Sequence, residues 1–425
     1  MKTIFSLVVA LACFSIARAA DFPDTVVPAG MGANIHFVKG HERDLDLIAA
    51  GGFKFIRMDF SWGGIERRKG EYDWSGYDEL TANLEKRGIR PLYILDYSNP
   101  LYEQPMGSTN PITHKATFET ASPQHPESVA AFAKWAAAAA AHYKGRRVIW
   151  EIWNEPNIFF WKPKPDAQQY SALALATCKA VRAADPNATI IGPASSEFPW
   201  AFLETFLQSG VLEYLDAVSV HPYRSRSKGP ETANADYAKL RGLIEKYAPT
   251  EAKKKISIIS GEWGYSSNTK GVTLERQAAY LARQQLSNLM NGVPISIWYD
   301  WKNDGEDPAE NEHNFGTVTS KLEPKPAYLA AKTLSNELSG FRIAQRVDVG
   351  STNDFVLVLT NQNGLGKFAV WTMTTNSHAV TISGTRMIPS KGVTAVGEPA
   401  DVSVESGKVQ IGLNPMPKYL GARRR

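Results

Sequence analysis

Eight short apolar runs alternate with eight helical stretches along most of this 425-residue chain, and that alternation constrains the fold more than any other feature. The runs cover residues 32–37, 54–60, 90–96, 148–153, 189–193, 217–221, 255–260 and 294–299. Most are rich in Ile, Val, Phe and Tyr without clean alternation, as expected of strands buried on both faces. The helical stretches fall at residues 41–50, 77–87, 126–143, 167–184, 201–208, 233–247, 274–291 and 326–338. Several of them end in Gly or are followed by Pro, as in Gly292-Val293-Pro294. Parallel strands need crossover helices, so the pattern predicts an α/β fold of the (β/α)8 barrel type. The structural alternative is a doubly wound open sheet, which is weakened by the lack of a Gly-rich phosphate loop after the first strand.

Beyond about Gly340 the rhythm changes. Residues 355–360 and 368–374 alternate as strands do, Gly, Asn and Ser turns separate them, and no amphipathic helix follows. The organisation expected is therefore a signal peptide over 1–20, a catalytic barrel over 21–339 and a small antiparallel β domain, sandwich-like, over 340–425. A strand donated from the segment after residue 20 is a further expectation for that domain. Gly421 to Arg425 reads as a solvated basic tail.

The N-terminal reading rests on Lys2, an apolar run from Ile4 to Ile16 and Ala17-Arg18-Ala19, which fits a cleavage site. The run is too short to span a bilayer. A lipid-attachment reading at Cys13 has poor flanking sequence, Ala10-Leu11-Ala12. The chain is expected to be secreted, to the periplasm or beyond, with no membrane insertion. Cys178 is then the only remaining cysteine, so no internal disulfide can form. A net charge of +4, from 47 basic and 43 acidic residues, is too small and scattered to suggest nucleic-acid binding. Eleven Trp and sixteen Tyr say more, because aromatics beyond core needs line ligand clefts. Nothing in the sequence fixes the oligomeric state.

The active site of a parallel barrel sits where its strands end. Trp153-Asn154-Glu155-Pro156-Asn157 lies at the exit of the fourth run, and Ser260-Gly261-Glu262-Trp263-Gly264 at the exit of the seventh. Two glutamates thus face each other across one barrel mouth. Such a pair cleaves a glycosidic bond: one carboxyl protonates the leaving oxygen, and the other attacks the anomeric carbon or activates water.

With those strings in view the barrel resembles the clan A, or 4/7, retaining glycoside hydrolases, and is most similar to families 5 and 39. The resemblance covers roughly Gly32 to Leu338 and implies Glu155 as acid/base, Glu262 as nucleophile and Asn154 as donor to the sugar 2-hydroxyl. It implies an oligo- or polysaccharide partner with β-type or α-L-arabino linkages. It also suggests that Arg57 braces the nucleophile, with an Asp59 ion pair as the plainer alternative. His221 and Tyr223 would flank the nucleophile, and Trp298 would floor the cleaved sugar's subsite. His36, Asp96 and Trp301, at or beyond other strand ends, are further candidate sugar contacts.

Two long loops, 98–124 and 302–321, would shape specificity. The first carries Asn99, Tyr102, Asn110 and His114; the second carries Asp304, Glu306, Asp307, Glu310, Glu312 and His313. That acidic run lacks calcium-loop spacing, so no metal and no cofactor is expected. Phe159, Phe160 and Trp161 either build leaving-group subsites or seal the barrel rim. The competing functional classes are a non-catalytic carbohydrate-binding barrel, which would usually have lost a carboxylate, and a lyase or aldolase, which would show a Schiff-base Lys or a metal triad.

Overall fold

The computed structural model describes residues 21–109, 116–249, 255–383, 385–405 and 408–424. The expected signal segment with Cys13, and Asn110 and His114 of the first long loop, lie outside those residues. Eight parallel strands close into a barrel: β1 (Met31–Asn34), β2 (Phe55–Ser61), β3 (Arg90–Asp96), β4 (Ile149–Ile152), β5 (Thr189–Ser196), β6 (Ala217–His221), β7 (Ser257–Trp263) and β8 (Ser296–Trp298), with β1 pairing β8. The open-sheet alternative is thereby excluded. Helices follow the strands, among them α1 (Glu42–Ala50), α2 (Ser75–Glu85), α3 (Pro126–His142), α4 (Ala167–Ala184), α5 (Trp200–Gln208), α6 (Asn234–Tyr247), α7 (Leu274–Met290) and α8 (Pro326–Leu338).

Strand parity positions the site. One buried cluster, Phe55, Leu92, Ile149, Ile191, Ala217, Ile259, Ile295 and Ile297, fills the barrel interior. Side chains alternate along a strand, so the residues two and four further on also point inward. Each inward column therefore climbs from an apolar floor to polar groups: Phe55 to Arg57 and Asp59, Ile149 to Glu151, and Ala217 to Ser219 and His221. The outward residues, including Tyr93, Trp150 and Trp298, pack into the larger core between strands and helices.

Within the first long loop, Pro105–Thr109 pairs antiparallel with Ala116–Thr120, so part of this loop is a hairpin. The C-terminal strands are antiparallel. A six-stranded sheet runs in the order Arg342–Arg346, Asp354–Thr360, Gly366–Thr372, Lys418–Arg424, Met387–Thr394, Pro399–Ala400, and a three-stranded sheet joins His378–Thr381, Lys408–Leu413 and Ser403–Glu405. Alternation divides the larger sheet's side chains. Val356, Val358, Phe368 and Val370 pack with Val380, Ile411 and Leu413 of the smaller sheet. Phe355, Leu357, Trp371 and Tyr419 join the barrel core instead.

Two expectations are corrected here. Gly421 to Arg424 is not a solvated tail but part of a strand, with Lys367 opposite Gly421 and Gly366 opposite Ala422. That strand lies between two others and supplies ladder bonds that both need. Nor does the segment after residue 20 donate a strand to the β domain. Its Val27 makes two backbone bonds at the junction, donating to the Phe341 carbonyl at 2.9 Å and accepting from the Gly340 N–H at 2.8 Å.

Candidate active site

The mouth of the barrel holds a cavity of about 690 Å³ lined by His36, Arg57, Asp59, Tyr97, Asn154, Glu155, Tyr223, Glu262 and Tyr299, among others. Arg57 organises it. The guanidinium is buried and makes five contacts: Nε donates to Glu151 Oε2 at 2.6 Å, Nη1 to Glu262 Oε2 at 2.6 Å and Asn34 Oδ1 at 3.2 Å, and Nη2 to Asn154 Oδ1 at 2.8 Å and His221 Nε2 at 3.3 Å. Burial works against its charge, but Glu151 and Glu262 outweigh that and raise its pKa. A guanidinium is suited to this because its fork of donors is planar and rigid.

The Arg57 contacts fix the tautomer of His221. Arg57 can only donate, so His221 Nε2 accepts and carries no proton. The proton then sits on Nδ1, which donates to Glu155 Oε1 at 2.9 Å. Burial lowers the pKa of His221 to about 4, so the ring is neutral. His221 lies beside the nucleophile as expected, within 4.8 Å of a Glu262 oxygen, but its hydrogen bond goes to the opposite glutamate.

The two glutamates have unlike surroundings. Glu262 Oε2 faces Arg57, and Glu262 Oε1 accepts from Tyr223 Oη at 2.8 Å. Burial raises its pKa, while the charge of Arg57 and the Tyr223 hydroxyl favour the anion. Glu155 has no such cation on its oxygens. Burial pushes it to about 7, with Ser196 and Arg57 offsetting only part of the rise. One oxygen of each glutamate and one nitrogen of His221 all lie within 4.8 Å of one another.

Backbone geometry aims Glu155. Both Trp153 (φ 68) and Glu155 (φ 46) adopt left-handed conformations, which for non-glycine residues cost about 1 kcal/mol or more each. Glu155 N–H bonds the Ala194 carbonyl at 3.0 Å. Asn157 holds the turn to β5, donating to the Ser196 carbonyl at 3.0 Å and accepting from Ser196 N–H at 2.8 Å. On the far side, Gly261 leaves room for this network. A Cβ there would stand 2.5 Å from Ser219 Oγ and 3.0 Å from Glu151 Oε1.

Of the residues singled out in the sequence, Glu155, Glu262, Asn154, Arg57, Tyr223 and His36 line the cavity, and His221 lies directly beneath it. Three do not reach it. Trp298 is fully buried on the outward side of β8, with its indole N–H on the Phe315 carbonyl; Tyr299, the next residue, stands at the mouth instead. Trp301 is buried with its indole N–H on Asp44 Oδ1 at 3.0 Å. Asp96 is buried below the mouth, and burial together with nearby Asp59 raises its pKa well above the usual carboxylate range. Phe159 and Phe160 line the cavity, Phe160 stacked on Tyr97, whereas Trp161 is core.

Glu151 is the residue that sequence reasoning missed. It is wholly buried, bonds Arg57 through Oε2 and accepts the Ser219 hydroxyl at Oε1. Its signal was a lone charge inside an apolar strand, which needs a buried partner.

Among the described residues, two groups could gather ligands for a metal: Glu155, His221 and Glu262, and His36, Asp300 and Asp304. The first is the two-carboxylate arrangement itself. In the second, burial opposes a charged His36, but the Asp300 carboxylate 3.2 Å away outweighs it and lifts the His36 pKa to about 9. A protonated ring has no lone pair to offer a metal at neutral pH.

Two carboxyls in unlike environments, close enough to flank one sugar ring, are what glycoside-cleaving barrels present. The sequence profile of the cellulase family (glycosyl hydrolase family 5) matches residues 25–305, more than half of the chain, and the chain belongs to that family. It is 35% identical over 206 residues to a β-xylosidase of Geobacillus stearothermophilus; the match covers 44% of this chain and 40% of that protein's length. Among solved structures it is similar to a family 39 glycoside hydrolase from Bacteroides cellulosilyticus WH2, with TM-score 0.78 and 26% identity over 93% of this chain and 81% of that one. It shares its fold with a family 39 β-xylosidase from Caulobacter crescentus, with TM-score 0.65 and 18% identity over 96% of this chain and 98% of that one.

Proposed function

We propose that this chain is a retaining glycosidase that cleaves β-linked, xyloside-type bonds in an oligo- or polysaccharide by double displacement. The observation that carries this is the asymmetry of the two glutamates. Glu262 is held by Arg57 and Tyr223, whereas Glu155 is buried, accepts a bond from neutral His221 and has its pKa raised to about 7. One oxygen of each lies within 4.8 Å of one of the other, which favours the closer, direct-attack arrangement over the wider spacing that admits a water.

In the first step Glu262 attacks the anomeric carbon while Glu155 gives its proton to the departing glycosidic oxygen. His221 Nδ1–H already occupies Glu155 Oε1, so the proton for the leaving group resides on Oε2. In the second step Glu155, now a carboxylate, takes a proton from water, and that water displaces Glu262 from the sugar. Asn154 gives Oδ1 to Arg57 and one amide hydrogen to Tyr97 Oη at 3.0 Å. Its second amide hydrogen is available to the sugar 2-hydroxyl. No metal enters this chemistry. The N-terminal segment 1–20 supports export to an oxidising compartment, and the xylose preference rests on the named relatives.

Turnover of a panel of aryl β-glycosides, led by the xyloside, tests the reading. Hydrolysis of at least one member is expected. Binding of sugars without turnover of any would instead identify a non-catalytic carbohydrate-binding barrel.

A further inference from the structure

A second cavity, of about 290 Å³, adjoins the first. Tyr223, Asn311 and Phe315 line both. The loops after β6 and β7 form its other walls, with Arg224, Arg226, Gly264, Ser266, Asn268 and Lys270. Three of its lining side chains are cationic and none is anionic. Arg224 is already matched: it forms an ion pair with Asp236 and donates to the Tyr223 carbonyl at 3.0 Å. Arg226 and Lys270 are exposed and form no ion pair with a carboxylate among the described residues. The Arg226 guanidinium instead reaches the backbone carbonyl of Lys270, so the two loops that carry these cations meet at this cavity.

This concentration is local, since the whole chain carries a net charge of only +4. Two cations without a carboxylate partner among the described residues thus flank a concave site, and an anion seated in it would gain charge-assisted hydrogen bonds from them. The cavity is also close to the chemistry. Gly264 is two residues beyond Glu262, and Tyr223, which precedes Arg224, donates to Glu262 Oε1. Because the two cavities share Tyr223, Asn311 and Phe315, this one has the position to take a group from a sugar next to the one being cleaved.

We propose that this cavity is an anion subsite: Arg226 and Lys270 bind a carboxylate or sulfate on the glycan, so that the substrates are acidic rather than neutral saccharides. The proposal rests on the glycosidase reading for the identity of its ligand as a glycan. The step is binding alone, and no bond is made or broken in it.

The test is calorimetric binding to the full chain of three oligosaccharides with one backbone: one bearing a uronate, its carboxyl-reduced counterpart and a sulfated form. The uronate or the sulfated form should bind at least tenfold more tightly than the reduced form. That preference should shrink to less than threefold in Arg226→Gln, in Lys270→Gln or in 0.5 M salt. Comparing the uronate with the sulfated form decides which anion the subsite takes. Equal affinities for all three, or a preference that survives in both variants, would overturn the proposal. Aryl β-glycoside turnover by the unaltered chain is measured in parallel. If it proceeds while acidic and neutral ligands bind alike, only the subsite fails; if it is absent while the preference holds, the glycosidase reading fails and the subsite stands.

Discussion

His221 Nδ1 lies 2.9 Å from Glu155 Oε1, while the same ring's Nε2 accepts from Arg57. A neutral imidazole thus links the cation that braces one glutamate to the carboxyl of the other. The link orients Glu155 without supplying it a charge, which leaves burial free to raise its pKa.

The pH dependence follows from that value. The general acid must be protonated, and Glu155 loses its proton as pH rises through about 7. On turnover, kcat/KM should fall about tenfold per pH unit above pH 7, and should fall again on the acid side as the Glu262 nucleophile takes up a proton. A basic limb with its midpoint below pH 5 would show that Glu155 is not the proton donor.

Glu262→Ala removes the nucleophile and leaves room for a small anion. Turnover should drop by about 10⁴-fold or more, and added azide should restore part of it, giving a glycosyl azide of inverted configuration. Chromatography with NMR of the product checks this. A variant that keeps more than a tenth of the activity would reassign the nucleophile.

Glu151→Gln keeps the side chain's shape but halves the anionic charge directly bonded to Arg57. Arg57 would then draw more tightly on Glu262 and weaken it as a nucleophile. The expected result is a fall of about tenfold or more in kcat with KM little changed, measured on an aryl glycoside. A loss confined to thermal stability would reduce Glu151 to a purely structural part.

At the domain junction Trp371 donates its indole N–H to Glu231 Oε1 at 2.7 Å, and Glu231 also pairs with Arg283 at 2.7 Å. Trp371→Phe removes one hydrogen bond to a buried charge, so a loss of about 2 kcal/mol is expected in urea unfolding. Truncation after Gly340 removes Phe355, Leu357 and Trp371, uncovers the apolar barrel surface they pack against and should yield aggregated protein. A soluble truncated barrel with an unchanged Tm would contradict this shared core.

Exhaustive chelation with EDTA should leave activity within experimental error, because two carboxyls complete the chemistry. Loss that calcium restores would point to His36, Asp300 and Asp304 as a cation site.

The barrel was legible in the sequence because each strand and helix carries its own apolar signature; Ala167–Ala184 and Pro326–Leu338 are read to the residue. Glu155 and Glu262 were legible for a related reason, since each follows an apolar run at a strand exit. Parity was not. A strand apolar on both faces does not reveal which side is inward, so Trp298 was placed at the mouth where Tyr299 stands. The same blindness hid Glu151, whose meaning depends on Arg57, 94 positions away in sequence. The edge between His221 and Glu155 arises only when β4 and β6 are brought together through β5.

The central claim is double displacement at Glu262, and the configuration of the first-formed sugar tests it most directly. Proton NMR during early hydrolysis of a β-glycoside should show the β-hemiacetal appearing first, with the α-anomer growing in later by mutarotation. Initial appearance of the α-anomer would mean single displacement by water and would contradict the roles assigned here to Glu155 and Glu262.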